Sequence, residues 1–396
     1  MRFLAAVSLA GLMAGVGCGT ESETRELIKT LEKELGARVT VNKHHQVVEL
    51  ILSSGGCGFA IKPPEAPIDS KLKHLKGLKD LQSLTIFRRI TGAGLVHLKD
   101  LPRLRELRLS FSKVTDAGLE KLEGLTNLQV LNLIETRVTD AGLGHLKGLP
   151  NLKTLVLPRN ITDAGLVHLK GLTNLQKLNL NETRITDAGL MHLNGLAHLE
   201  HLSLSFTKIT DTGLIHLKGL TNLKTLTFSW NITDAGLVHL KGLTNLQTLQ
   251  IGNAKVTDTG VEHLKKLTHL EYLYMPRAKI TDLGLEHLKG MVNLKHLNIG
   301  RSQITDKGLI HLKELTQLEN LQFFHNKITD VGLAQLKGMV NLKYLDIRRS
   351  LITDKGLKHL EGMTNLERLY LPGVPIITDA GVKQLQQALP NCRIRR

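Results

Sequence analysis

Histidine, aspartate and cysteine are the residues of this chain whose types suit metal binding, proton transfer or nucleophilic attack, and their spacing speaks against such chemistry. Ten histidines share one slot directly before a leucine: His97, His145, His168, His192, His216, His239, His263, His287, His311 and His359. Side chains repeated at that interval belong to neighbouring helices about 8–10 Å apart. Adjacent imidazoles there cannot share one ion at bonds of about 2 Å, so a solvated flank of the helix is expected. Aspartate follows threonine in twelve copies, from Asp116 to Asp379. One carboxylate per copy does not approach the roughly six to eight oxygens that calcium takes. Thr-Asp ahead of a helix supplies instead a capping oxygen and a negative charge at the helix start. There is no nucleophile elbow, phosphate loop, HExxH or clustered His-Cys set. The sequence therefore predicts no catalytic residue, no metal and no cofactor: the protein is read as not an enzyme.

The element that positions these slots is clearest at Thr173–Leu196, TNLQKLNLNETRITDAGLMHLNGL. Leu178 and Leu180 alternate as one face of a strand does, and Leu190 and Leu193 are spaced as on a helix. One strand and one helix cannot enclose a core alone, but stacked copies can. The Ile or Val that opens the unit recurs thirteen times from Ile90 to Ile377, a weaker copy starts at Ile68, and Leu389–Ile394 closes the series as a truncated strand.

The L-x-x-L-x-L strand followed by ITDAGLxHLKGL resembles the leucine-rich repeat family. It is similar to the subclass found in F-box leucine-rich proteins and to bacterial leucine-rich-repeat lipoproteins. The resemblance implies an α/β solenoid, a right-handed horseshoe with parallel strands on the concave face and helices on the convex face. It also implies a protein ligand bound on the concave side. Substrate recognition of the F-box adaptor kind is an alternative, but the stretch Glu21–Pro67 is short and partly strand-like where an F-box helix bundle would have to lie.

The expected domains are a signal peptide over 1–18, a tether and αββ cap over 19–67, and about 13 repeats over 68–396. Met1–Gly17 is an apolar run behind Arg2, shorter than the ~20 residues a spanning helix needs. Cys18 at its end looks like the lipidated cysteine of a bacterial lipoprotein signal, although Gly15 stands where that pattern prefers Leu or Val. An ordinary signal peptide with Cys18 incidental is the other reading. Either places the chain outside the cytoplasm, in the cell envelope or periplasm, membrane-anchored if Cys18 is lipidated. Thr24–Leu35 reads as an amphipathic helix, and Arg38–Val41 and Val47–Leu52 as strands covering the open end of the first repeat. Cys57 and Cys392 lie near opposite ends of the repeats, roughly 60 Å apart at about 4.8 Å per strand, so they cannot form a disulfide within one chain.

Net charge is +16. Its source is largely a lysine recurring after the His-Leu pair, as at Lys99, Lys147 and Lys170, so it marks the helical side. It does not form a nucleic-acid motif, and nucleic acid is not an expected partner. The x positions of L-x-x-L-x-L vary from copy to copy. In early copies they are polar or aliphatic, and later they become Tyr272, Tyr274, Phe324, Tyr344 and Tyr370, interleaved with Asp346, Arg348 and Arg368. These eight are the candidate ligand-binding residues, since amphipathic aromatics beside arginine match the composition of binding hot spots. The reading is a protein-interaction module. An envelope adhesin binding an anionic polymer, or a structural spacer, are the competing classes. Phe111, Phe206 and Trp230 form either a second apolar patch at one rim or part of the turns.

Overall fold

The computed structural model describes residues 21–52, 67–87, 90–252, 255–373 and 376–396. Cys18, Cys57 and the apolar N-terminal run lie outside them. The chain divides into two compact units, Met1–Leu199 and Glu200–Arg396.

In the first unit, helix α1 (Glu21–Leu35) buries Leu27, Leu31 and Leu35. Strands β1 (Ala37–Val41) and β2 (Val47–Leu52) follow as an antiparallel hairpin. Its turn is held by the Asn42 carboxamide, which accepts from the backbone of His44 and Gln46. Strand β2 continues in parallel with β3 (Ser83–Ile86), and β4 (Glu106–Arg108), β5 (Val130–Asn132), β6 (Thr154–Val156) and β7 (Lys177–Asn179) extend the sheet. In the second unit β8 (His201–Ser203), β9 (Thr225–Ser229), β10 (Thr248–Gly252), β11 (Tyr272–Tyr274) and β12 (His296–Asn298) run in parallel. Strands β13 (Asn320–Gln322), β14 (Tyr344–Asp346), β15 (Arg368–Tyr370) and β16 (Arg393–Arg395) complete that sheet. Strands β4 to β8 and β11 to β15 each turn one leucine inward, such as Leu178, Leu273 or Leu345, and all of these are buried. The residues on either side of that leucine alternate toward the open face, so each of these strands contributes two variable positions to it.

The helical side is thinner than its sequence pattern suggests. Its segments are short, ten residues at most in Asp379–Ala388, and several are 3-10 helix throughout, as in Ala141–Gly148 and Gly308–Glu314. Strands repeat about every 4.8 Å, whereas an α-helix with side chains is about 10 Å wide. The tighter 3-10 winding narrows each segment and eases that mismatch. The histidine slot is exposed or half-buried, and His145 Nδ1 meets Glu123 Oε1 at 2.8 Å. Burial, with nearby Lys218, lowers the pKa of His239.

The Thr-Asp pair works differently from the expected single cap. The threonine hydroxyl caps its own helix in several copies, as where Thr329 Oγ1 accepts from the Val331 amide at 3.3 Å. The aspartate reaches into the following copy. Asp306 Oδ1 accepts from the Thr329 amide at 2.8 Å and Oδ2 from the Thr329 hydroxyl at 2.5 Å. Asp116, Asp140 and Asp163 do the same in the first unit. The glycine two residues beyond the aspartate has a steric reason. A Cβ on Gly332 would stand 2.2 Å from Asp306 Oδ1, so only glycine lets the preceding carboxylate approach. A second ladder comes from the asparagine that precedes the first leucine of L-x-x-L-x-L, where Asn341 Nδ2 donates to the Thr316 carbonyl at 2.9 Å and Asn365 Nδ2 to that of Val340 at 2.9 Å. The conserved-looking part of the repeat thus binds each copy to its neighbour.

Candidate functional site

Register decides which of the eight candidate residues meet. On the open face of the second unit, Tyr344 lies beside Arg368, and Asp346 beside Tyr370. Arg393 and Arg395 extend the same two rows on β16. The Tyr344 and Tyr370 rings are 5.4 Å apart and tilted by 36°. Phe324 joins from the residue pair that follows β13. Its ring lies over Gly300, where a Cβ would come within 2.3 Å of the ring.

Arg348 ties the cluster together. Its guanidinium stands 5.8 Å from the Phe324 centroid and 5.1 Å from that of Tyr370, within cation–π range. Nε and Nη2 donate to Asp346 at 2.9 and 2.6 Å, a two-pronged pairing. Asp346 also accepts from the Arg348 amide at 3.2 Å. The hydrogen bond from Arg348 to Asp346 raises the arginine pKa. The Tyr344 hydroxyl is pushed up by burial first and by the Asp346 charge second.

Asp346 departs from the expectation of an exposed binding carboxylate: its side chain is 1% exposed. The reason is local. Asn132, Asn179 and Asn298 occupy the same strand position and accept from the amide two residues on, so the position builds the turn. With Arg348 above it, Asp346 is a support, and the surface presented outward is Phe324, Tyr344, Arg348, Arg368 and Tyr370. Tyr272 and Tyr274 lie on β11, separated from β14 by two strands, β12 and β13. Tyr272 packs on His296 with centroids 5.3 Å apart, and burial raises its pKa. Between the two aromatic groups run amides, with Asn298 Nδ2 donating to Gln322 Oε1 at 2.7 Å. The face is therefore aromatic at β11, amide-rich at β12 and β13, and aromatic with arginine from β14 onward.

Sequence reasoning did not single out Arg393 and Arg395, which follow the last copy where the strand signal is short. Arg395 stands 5.9 Å from the Tyr370 centroid. Elsewhere in the unit, Phe206 and Trp230 meet edge to face at 5.0 Å and 77°, both about half exposed, which places them as a surface pair. A polar depression of about 270 Å³ lies at Glu200, Asn222, Lys224, Asn245, Gln247 and His269. Asn245 and His269 there bond to main-chain carbonyls of Thr221 and Thr244. Among the described residues, no three His, Cys, Asp or Glu side chains gather as a metal site would. Cys392 is buried, and burial pushes its thiol up to about 11.

Three family models match the chain: "Leucine rich repeat" over residues 102–161 and 316–376, "Leucine Rich repeats (2 copies)" over 173–216, and "BspA type Leucine rich repeat region (6 copies)" over 198–309. The chain is a leucine-rich repeat protein. Among solved structures it is similar to an internalin from Listeria monocytogenes at 25% identity, covering 87% of this chain and 93% of that one with a TM-score of 0.61. A leucine-rich-repeat protein of Leptospira interrogans shares the fold at 18% identity, covering 82% of this chain and 92% of that one, with a TM-score of 0.55. No curated protein matches by sequence. The fold supports a protein-interaction module.

Proposed function

We propose that this protein is an exported, non-catalytic binding module whose protein ligand docks on the open face of strands β11–β16. The carrying observation is the Phe324–Arg348–Tyr370 stack beside Tyr344. Large rings and a guanidinium are held in place before any ligand arrives, so little side-chain freedom is lost on binding. On the helical side the Thr, Asp and Gly of each copy are engaged in holding copies together, and the exposed apolar residues there, such as Met191, Ile310 and Val331, stand without an aromatic–guanidinium stack among the described residues. The likeness in fold to the internalin agrees with this assignment. Cys18, lipidated, would anchor the chain to a membrane. Among the described residues no helix is long and apolar enough to cross one.

The test is a pull-down from native envelope extract with wild type beside Tyr344→Ala/Tyr370→Ala, at matched circular dichroism. A protein captured by wild type alone supports the reading, and equal capture by both removes it. The anchor is tested separately by membrane fractionation and palmitate labelling of Cys18→Ala. Loss of both label and membrane association is expected, and unchanged fractionation contradicts it.

A further inference from the structure

The charge on this face is unevenly placed. At the start of the strands it is paired: Lys295 Nζ meets Glu271 at 2.8 Å and Lys343 Nζ meets Glu319 at 2.8 Å. Within the face, Arg348 is neutralised by Asp346. Three arginines remain on the last two strands. Arg368 and Arg393 are cross-strand neighbours, Arg395 follows two residues along, and all three are exposed. Among the described residues none of the three forms an ion pair with a carboxylate, and Arg396 alone of the C-terminal arginines does, with Asp379. Adjacent strands are about 4.8 Å apart, and alternate residues on one strand about 7 Å. The three arginines therefore share one corner of the sheet, with the Arg395 guanidinium 5.9 Å from the Tyr370 centroid.

We propose that this corner, β15 and β16, takes an acidic peptide segment: Asp or Glu side chains of the protein ligand engage Arg368, Arg393 and Arg395, while neighbouring residues lie on Tyr344 and Tyr370. The inference rests on the reading of this face as a protein-binding surface and specifies the ligand's chemistry. Arginine matches a carboxylate through two parallel N–H···O bonds. The excess charge spans two strands, room for about three or four residues of extended chain. A uniform polyanion would need that charge to continue along the face. Along the strands it gives way to the uncharged Asn298, Asn320 and Gln322 of β12 and β13 and to the Glu–Lys pairs at the strand starts, while the exposed Arg301 and Arg349 stand off the strands in the turns that follow β12 and β14. A peptide acidic at one end and neutral beyond fits that distribution.

The experiment is selection from a displayed random-peptide library on the full chain, followed by fluorescence anisotropy of the selected peptides. Three variants are run beside wild type: Arg368→Gln/Arg393→Gln/Arg395→Gln, the matching triple lysine variant, and Tyr344→Ala/Tyr370→Ala. Circular dichroism confirms the fold of each, and dextran sulfate serves as the polymer probe. The expected result is peptides enriched in Asp and Glu. The glutamine variant should weaken them by about tenfold or more, with lysine restoring part of the loss, and their affinity should fall several-fold as salt rises. Peptides without acidic enrichment, or indifferent to the glutamine variant, overturn this inference. They leave the broader reading standing if the tyrosine variant still abolishes binding. Dextran sulfate bound through the arginines with no peptide selected assigns the corner to a polymer and overturns it. No binding of either probe overturns both readings.

Discussion

The two sides of each repeat carry different kinds of information. On the helical side the same few residues return in most copies, and each contacts the next: Asp306 holds Thr329, Gly332 makes room for Asp306, and Asn341 holds the Thr316 carbonyl. On the sheet side the inward leucines repeat while the outward residues drift from Thr225 and Thr248 through Tyr272 and His296 to Tyr344 and Arg368. Repetition marks what stacks the copies, and drift marks what a ligand can distinguish. Stability and binding should therefore separate by side.

The strongest attempt to break that division is Gly332→Val. Its side chain would occupy the space of the Asp306 carboxylate, combining overpacking of about 1–3 kcal/mol with the loss of hydrogen bonds worth a similar amount. Chemical denaturation should show the largest destabilisation of any substitution considered. A second strike falls on the sheet side, where Arg348 supports a buried carboxylate. Arg348→Leu leaves Asp346 without its partner. Breaking a fully buried pair costs about 3–5 kcal/mol, and the half-exposed arginine reduces this to about 2 kcal/mol. Adding Asp346→Asn should recover most of it, and if the double variant is no more stable than the single one, the carboxylate is not the cause.

Smaller still is Asp306→Ala, which removes one staple and should cost about 1–2 kcal/mol without affecting binding at the face. At the low end, Tyr344→Ala/Tyr370→Ala should shift stability by under about 1 kcal/mol, because both rings lie half-exposed on the surface, while abolishing capture of the ligand. The finest distinction is one of pH. Hydrogen bonds from the Thr378 hydroxyl and amide lower the Asp354 carboxyl below its ordinary 3.8. A group depressed in the folded state contributes stability that is complete above the unfolded value and is lost as pH falls through the folded one. Asp354→Asn should therefore flatten the acid limb of a stability–pH curve below about pH 4 and leave neutral pH unaffected by titration of this group.

Much of this was legible in the chain because a 24-residue period repeats the same evidence. Leucine alternation located the strands, Val47–Leu52 appears as a strand where β-type patterning suggested it, and the truncated strand expected over Leu389–Ile394 appears later and shorter, at Arg393–Arg395. The aromatic drift toward Tyr344 and Tyr370 was legible as well. What was missed involves partners one copy away. Nothing in ITDAG says that its aspartate serves the threonine of the following copy, since the same residues would also suit a cap on their own helix. Asp346 looked exposed because strand alternation puts it on the outer face, and its burial depends on Arg348, two residues later. The left-handed backbone at Phe111, Glu135, Phe206, Arg277 and Arg349 left no sequence mark, because residue type at that position varies while the turn does not.

The most direct test of the division between sides places a photo-reactive phenylalanine analogue at one position on each. Tyr370 represents the sheet face, and Val331, 67% exposed on the helical side, represents the other. Irradiation in the native envelope should yield a cross-linked partner from Tyr370 and none from Val331. A partner trapped from Val331, with Tyr370 silent, would place the ligand on the helical side and contradict the account.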